Sequence, residues 1–333
     1  MSKVSQNTIK INIQPDNFPL ALDKLAQPCT DSFKSEKNTL KTYEKRAKSK
    51  YLSNGLVLAL TKLDSPLRKS YWNTWHCSKV ILQDGKKLTT TYCNNRWCVQ
   101  CNRIRTAKLI KAYLPELEKM EDPQFVTLTI PNVPGPELKS TIAGMILEFI
   151  RIKDLFIHRR DFRINGVRKL ECTHNKITNE FHPHFHIVLD GKHVGEALIQ
   201  EWLTRYPGAT RSAQDIRPAD VNSMKELFKY ATKLTTKNLI TKENDKTVIE
   251  VNPQALDTIF QAMYKKRIFQ SMGWIQQVSE DIDEVDSQII EDVKEDIDVW
   301  TWEQDVSDWV NSSGELLTGC DAYQKYELRF PDG

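Results

Sequence analysis

The sequence predicts an α+β protein: a central antiparallel sheet flanked by helices, with a cysteine-rich module ahead of it. Three observations carry that expectation. Segments of strand and helix character follow the order strand, helix, strand, strand, helix, strand, helix, which is not the alternation of a doubly wound parallel sheet. Three histidines, His182, His184 and His186, occupy every second position of "FHPHFHIVLDG", so they share one face of a strand. Four cysteines gather around a hairpin pattern before the first of these elements.

Taken in order, residues 1–70 are polar and rich in Ser, Lys and Asn. They read as a basic lead-in, mobile or helical, with little core. Residues 71–118 form the cysteine module. "KVILQDGKKLTTTY" is a hairpin pattern with Asp84-Gly85 at its turn, and "NRIRTAKLIKAYLPELEKM" follows as a helix with a basic start. Residues 119–278 form the main domain. "QFVTLTIPNV" is a strand by its β-branched content, ended by Pro131. Leu138, Ile142, Met145, Phe149, Ile152 and Phe156 recur at steps of three and four, which marks an amphipathic helix. "NGVRKLECTHN" and "EFHPHFHIVLD" are two strands around a polar turn. "GEALIQEWLTRY" is a helix, "AQDIRPA" a short strand, and "SMKELFKYATKLTTKNL" a further helix. "PQALDTIFQAMYKKRIFQSMGW" reads as mostly helical, ending near Gly273. Residues 279–333 form an acidic tail, either disordered or an interaction helix.

The chain has 333 residues, 40% of them hydrophobic, enough for a substantial core. No run of 18 or more apolar residues suggests a membrane span. The first residues, "MSKVSQNTIKINIQPDNF", lack the apolar stretch of a signal peptide, so a cytoplasmic protein with no membrane partner is expected. Seven cysteines in a reducing compartment are free thiols, metal ligands or catalytic groups rather than a disulfide framework. The net charge of +3 hides an asymmetry. Residues 1–278 hold 44 Lys and Arg against 27 Asp and Glu, a net of +17, whereas residues 279–333 hold 3 against 17, a net of −14. A basic body with an acidic tail points to a polyanionic partner for the body.

Three constellations carry chemistry. His184 and His186 have Cα atoms roughly 6.7 Å apart at about 3.3 Å rise per residue, so two imidazoles can converge on one ion. His182 lies on the same face but roughly 13 Å from His186 by the same rise. If the hairpin turn is centred between residues 177 and 178, Glu171 faces His184 from the neighbouring strand. Either His182 or Glu171 can then be the third ligand. Two imidazoles and a carboxylate with open positions suit a catalytic rather than a closed site. The ion's identity is left open: imidazoles suit Mn²⁺ or Zn²⁺, while phosphoryl chemistry commonly uses Mg²⁺.

The second constellation is Cys93-x4-Cys98-x2-Cys101 with Cys77 sixteen positions earlier. Four thiolates suit tetrahedral Zn²⁺ in a structural role, with His76 an alternative to Cys77. Arg103, Arg105 and Lys108 follow and are candidates to meet phosphates. The third is "SMKELFKYATKLTTK". On a helix Glu226 and Tyr230 are i,i+4 neighbours, and Lys233 lies three positions past Tyr230. A carboxylate, a phenol and an ammonium together can serve nucleophilic and acid/base chemistry at phosphorus. Ser223 and Glu226 also have the spacing of a capping box.

"FVTLTIPN", "HPHFHIVL" and "ELFKYATK", in that order, resemble the three motifs of the HUH-type, single-tyrosine rolling-circle replication initiators of bacterial plasmids. "CNNRWCVQC" resembles the stretch preceding those motifs, and "AMYKKRIFQSMGW" the stretch following them. The resemblance covers roughly residues 71–278. Val99 departs from it, standing where a proline is common between the last two cysteines. The resemblance implies an HUH endonuclease fold with a ferredoxin-like core. His184 and His186 would hold a divalent ion, Mg²⁺ or Mn²⁺, with Glu171 a plausible third ligand. Tyr230 would be the nucleophile on the scissile phosphodiester, leaving a 5′-phosphotyrosine and a 3′-OH primer. Lys233, Lys229 or the ion would favour the phenolate, and Glu226 would activate a second attacker at termination. The implied partner is origin DNA, single-stranded or extruded as a hairpin, with a host helicase or polymerase recruited afterwards. An HUH transposase or relaxase, or a non-enzymatic zinc-containing DNA-binding protein, are the alternatives.

Overall fold

A computed structural model describes residues 36–84, 87–160, 162–228, 240–243, 246–282, 297–320 and 322–330. In chain order its helices are α1 (Glu36–Leu60), α2 (Arg68–Trp75), α3 (Val99–Leu117), α4 (Gly135–Arg159), α5 (Lys192–Arg205), α6 (Val221–Phe228), α7 (Pro253–Met263) and α8 (Ala322–Lys325). Its strands are β1 (Val80–Asp84), β2 (Lys87–Thr90), β3 (Pro123–Thr129), β4 (Gly166–Asn175), β5 (Glu180–Asp190), β6 (Asp215–Pro218), β7 (Ile240–Glu243), β8 (Lys246–Glu250), β9 (Phe269–Met272), β10 (Asp298–Glu303), β11 (Asp308–Val310) and β12 (Tyr326–Arg329). Two compact units result. One comprises Met1–Arg105, Leu234–Gln254 and Asp281–Gly333, the other Thr106–Lys233 and Ala255–Glu280.

The second unit is built on a five-stranded sheet of order β6-β3-β5-β4-β9, antiparallel throughout. The α+β architecture with antiparallel sheets and flanking helices is therefore the observed one. One face of this sheet is the core. The α4 side chains Leu138, Ile142, Met145, Phe149, Ile152 and Phe156 are all buried, the same six that the helical period selects. Phe149 packs edge-on against Phe185 of β5 at 5.5 Å, and Phe185 against Trp202 of α5 at 5.7 Å. The Trp202 indole N–H donates to the Thr129 carbonyl at 2.9 Å, which gives a buried polar group its partner. Arg168 of β4 enters the same layer, its guanidinium 4.4 Å from the Phe185 ring centre. At the start of β4 a Cβ on Gly166 would lie 2.2 Å from the Val188 carbonyl oxygen, so only glycine fits there.

The segment after α7 departs from the helical expectation. "FQSM" forms β9 on the edge of the sheet, pairing with β4 from Gly166 to Lys169. Phe269 and Met272 are buried there, and sheet pairing overrides the local helical preference.

The first unit holds two smaller sheets. One has the order β11-β10-β1-β2 and is antiparallel. The other has the order β12-β8-β7, with β8 and β12 parallel. The β1–β2 hairpin forms where the sequence places it, although Gly85 of its turn lies outside the described residues. In the acidic tail, residues 283–296, 321 and 331–333 lie outside the described residues, and the described residues 297–320 and 322–330 are largely strand and turn instead of disordered or an interaction helix. They supply β10, β11 and β12, and Trp300 and Trp302 alternate inward with period 2 inside an acidic composition. Trp309 is fully buried and donates to the Ser78 carbonyl at 2.8 Å. The lead-in also holds more core than expected: Tyr51, Leu52, Leu56, Val57 and Leu60 of α1 are buried. Among the described residues no helix is long and apolar enough to cross a membrane.

Candidate functional site

The histidine face lies on the side of the β5 strand opposite Phe185. Register fixes its membership. Glu171 pairs with His184 and Lys169 with His186 on β4, while Thr129 and Thr127 take the same places on β3. Directly opposed residues of antiparallel strands share a face. Glu171, His184 and His186 each offer one ligand atom, and these atoms lie within 4.8 Å of one another. His182 stacks on His184 at 5.1 Å between ring centres, but it is not a member of that cluster.

Both imidazoles are oriented by a hydrogen bond at Nδ1. His184 Nδ1 lies 3.0 Å from the His182 carbonyl oxygen, so it carries the proton and donates. His186 Nδ1 lies 3.2 Å from Thr127 Oγ1. A hydrogen bond at one ring nitrogen is also what orients metal-ligating histidines. Burial lowers the His184 pKa, opposed by the Glu171 charge, so the neutral imidazole that a metal requires is the favoured form. His186 Nε2 lies 3.7 Å from Glu171 Oε2. Two ligands at about 2.1 Å from one ion sit about 3.0–3.4 Å apart in octahedral or tetrahedral geometry. A closure of a few tenths of an ångström would meet that, so the donor set fits a divalent ion. The same Glu171 oxygen accepts an ion pair from Lys169 Nζ at 2.8 Å, with both side chains almost wholly buried. Sequence reasoning missed Lys169, although its i,i+2 spacing from Glu171 on a strand puts both on one face.

Helix α6, which carries Glu226, Leu227 and Phe228 of the third motif, packs on β5. Phe228, its last residue, stacks on Phe269 at 5.6 Å and on Tyr113 at 5.5 Å. Phe269 pairs with Lys169 across β4 and β9, so Phe228 rests on the histidine side of the sheet. Glu226 is exposed, while Met224, Leu227 and Phe228 turn inward. Ser223 and Glu226 do not form a capping box. Asp220 Oδ1 accepts from the Ser223 backbone N–H at 2.7 Å and from its hydroxyl at 2.6 Å, so Asp220 is the cap. Those hydrogen bonds hold the Asp220 carboxyl below its usual range. Tyr230, Lys229 and Lys233 lie outside the described residues.

The cysteine cluster belongs to the first unit. Cys77, Cys93, Cys98 and Cys101 present their sulfurs within 4.8 Å of one another. Sγ of Cys101 is 3.6 Å from that of Cys77 and 3.7 Å from that of Cys93. Four thiolates at about 2.3 Å from a tetrahedral ion stand about 3.8 Å apart, so the set fits zinc. Hydrogen bonds with Cys101, Cys77 and Cys98 draw the Cys93 thiol down, while those with Cys101, Cys93 and Cys98, together with burial, hold Cys77 up. His76 is outside the cluster. Ile282 packs against these cysteines, and its N–H and carbonyl both bond the Asn94 side chain, at 2.8 and 3.2 Å.

The expectation for Arg105 requires correction. It is fully buried. Its guanidinium donates to Asn102 Oδ1 at 2.7 Å and to the Asn94 carbonyl at 2.8 Å. It braces the cysteine loop instead of meeting a phosphate. Arg103 is half-buried, and burial lowers its pKa to about 10.

The fold and the two donor clusters define a class: an α+β protein with a carboxylate–diimidazole site on an antiparallel sheet and a four-cysteine module. The profile of the Rep_1 family, described as replication protein, matches residues 85–193. A "Protein rep" of Streptococcus pneumoniae is 28% identical over 192 residues, covering 53% of this chain and 58% of that protein. One from Staphylococcus aureus is 30% identical over 172 residues, covering 45% of this chain and 72% of that protein. A third, from Bacillus amyloliquefaciens, is 30% identical over 131 residues, covering 36% of this chain and 38% of that protein. The alignment thus spans little more than half the pneumococcal relative. No solved structure matches the chain at a significant level. The chain belongs to the Rep replication protein family.

Proposed function

We propose that this protein initiates plasmid replication by nicking one strand of origin DNA through a tyrosine nucleophile. The observation that carries the reading is the convergence of Glu171, His184 and His186 on the sheet face against which Phe228 is stacked. Tyr230 follows Phe228 by two positions, so chain connectivity keeps their Cα atoms within about 7 Å.

In this reading His184, His186 and Glu171 hold a divalent ion, Mg²⁺ or Mn²⁺, which when bound neutralises charge on a phosphodiester and polarises phosphorus. Thr127 and the His182 carbonyl keep the two rings aimed. The Tyr230 phenolic oxygen forms the new bond to phosphorus as the P–O3′ bond breaks. The phenolic proton leaves to base or solvent, and the departing oxygen takes up a proton to become the 3′-OH primer. Phenols are weak nucleophiles at a pKa near 10, and Lys233 favours the phenolate by charge. Exposed Glu226 serves termination, accepting a proton from the water that attacks a second phosphodiester. The basic body engages single-stranded or hairpin origin DNA. The four cysteines hold structural zinc and keep the first unit folded. Host helicase or polymerase recruitment follows nicking.

Incubating the protein with single-stranded origin DNA and Mn²⁺ tests this directly. A covalent adduct should map to the Tyr230 peptide and vanish in Tyr230→Phe. An adduct that persists in that variant refutes the assignment. Glu226→Ala should leave the first nick intact and impair release of a second product.

A further inference from the structure

Lys169 occupies a position that a simple metal site does not explain. Its ammonium sits 2.8 Å from Glu171 Oε2, the oxygen that also faces His186 Nε2 at 3.7 Å. Only 3% of the Lys169 side chain is exposed, and register places it directly opposite His186. One carboxylate oxygen therefore answers to two claimants: a built-in cation and an incoming one.

We propose that Lys169 is a positioning and specificity-determining residue that makes divalent-ion binding conditional on bound phosphodiester. This deepens the proposed nicking function and rests on it. An ion about 2.1 Å from Glu171 Oε2 would lie at most about 5 Å from the Lys169 ammonium. In a buried, poorly screened setting that like charge opposes the ion strongly. With no DNA bound, Lys169 neutralises Glu171 and keeps ion affinity low. A phosphodiester on the histidine face supplies the ammonium with a second anion and the ion with oxygen ligands. Lys169 then shares its charge with the phosphate, and Glu171 becomes available to the metal. Ion and DNA each raise the affinity of the other by the same factor, as linkage requires. Selectivity follows as well. A site that fills only when phosphate oxygens join it favours hard, oxygen-seeking Mg²⁺ or Mn²⁺ over ions that two imidazoles alone would capture.

The test is calorimetric titration of Mn²⁺ into the full chain with its cysteine site zinc-loaded, in a Tyr230→Phe background so that no strand is cut. Each titration is run with and without a single-stranded oligothymidylate. The unmodified site should bind Mn²⁺ at least tenfold more tightly with the oligonucleotide present. Lys169→Met should bind Mn²⁺ at least tenfold more tightly without DNA and lose most of that coupling, while Lys169→Arg should behave like the parent. Lys169→Gln carries the same expectation as the methionine variant and replaces it should that variant fail to fold by circular dichroism. A folded Met or Gln variant with unchanged or weaker Mn²⁺ affinity overturns the role of Lys169. If His184→Ala leaves parental Mn²⁺ binding unchanged, the metal-site reading fails, and this proposal fails with it.

Discussion

The two donor clusters solve opposite problems with similar compactness. Each gathers its ligand atoms within 4.8 Å. The cysteine set draws four soft donors from the flanks of one hairpin and the start of α3, with three of the four fully buried. Nothing further is needed to complete a tetrahedron, which suits an ion that stays. The histidine set draws two imidazoles from one strand and a carboxylate from the next, then ties that carboxylate to a lysine. Its coordination is incomplete and contested, which suits an ion that exchanges. The first site takes its ligands from one stretch of 25 residues, Cys77 to Cys101, whereas strand register brings together those of the second.

The comparison breaks most visibly at the proposed zinc site. Structural zinc contributes about 10–16 kcal/mol in zinc-finger peptides. Chelation, or Cys101→Ser, should abolish cooperative unfolding of the first unit in thermal melts. Chelating only the weakly held ion should leave the melt intact. Equal sensitivity at both sites would dissolve the distinction.

A second test reaches the cysteine module from the far end of the sequence. Because β10 pairs with β1 and Trp309 bonds Ser78, Trp309→Ala should cost about 3–5 kcal/mol in denaturant unfolding, the usual range for a buried Trp truncation. Deleting residues 279–333 should unfold the first unit. A deletion that melts like the full chain would make those strands dispensable.

Arg105→Ala sharpens the picture further. It should destabilise by about 1–3 kcal/mol, since Asn102 and the Asn94 carbonyl lose a buried donor. The salt dependence of DNA binding should stay unchanged, because no phosphate contact is lost. A reduced salt slope in a stable variant would restore Arg105 to the DNA interface. The smallest effect expected is at the α6 cap: Asp220→Ala should lower the melting temperature slightly, and Glu226→Ala should not.

Much of this was legible in the sequence because it rests on period. The six buried residues of α4 follow from steps of three and four, and the pairing of Glu171 with His184 follows from a turn centred between residues 177 and 178. What stayed hidden depended on partners distant in the chain. The strand at Phe269–Met272 forms only because β4 offers it an edge. The tryptophans of β10 look like interruptions in an acidic tail until β1 pairs with them. Arg105 reads as a phosphate contact because composition marks a helix as basic without saying which of its side chains are buried. Asp220 outcompetes Ser223 as cap because its Oδ1 accepts both the backbone N–H and the hydroxyl of Ser223, which spacing alone does not decide.

The central claim is that the two clusters hold different ions for different purposes. Anomalous diffraction from crystals grown with Mn²⁺ and zinc-loaded protein, in complex with an origin-strand oligonucleotide, tests it most directly. The account predicts a zinc peak among Cys77, Cys93, Cys98 and Cys101, and a manganese peak bounded by His184, His186 and Glu171. Manganese bound elsewhere, with those three side chains bare beside the DNA, would contradict it.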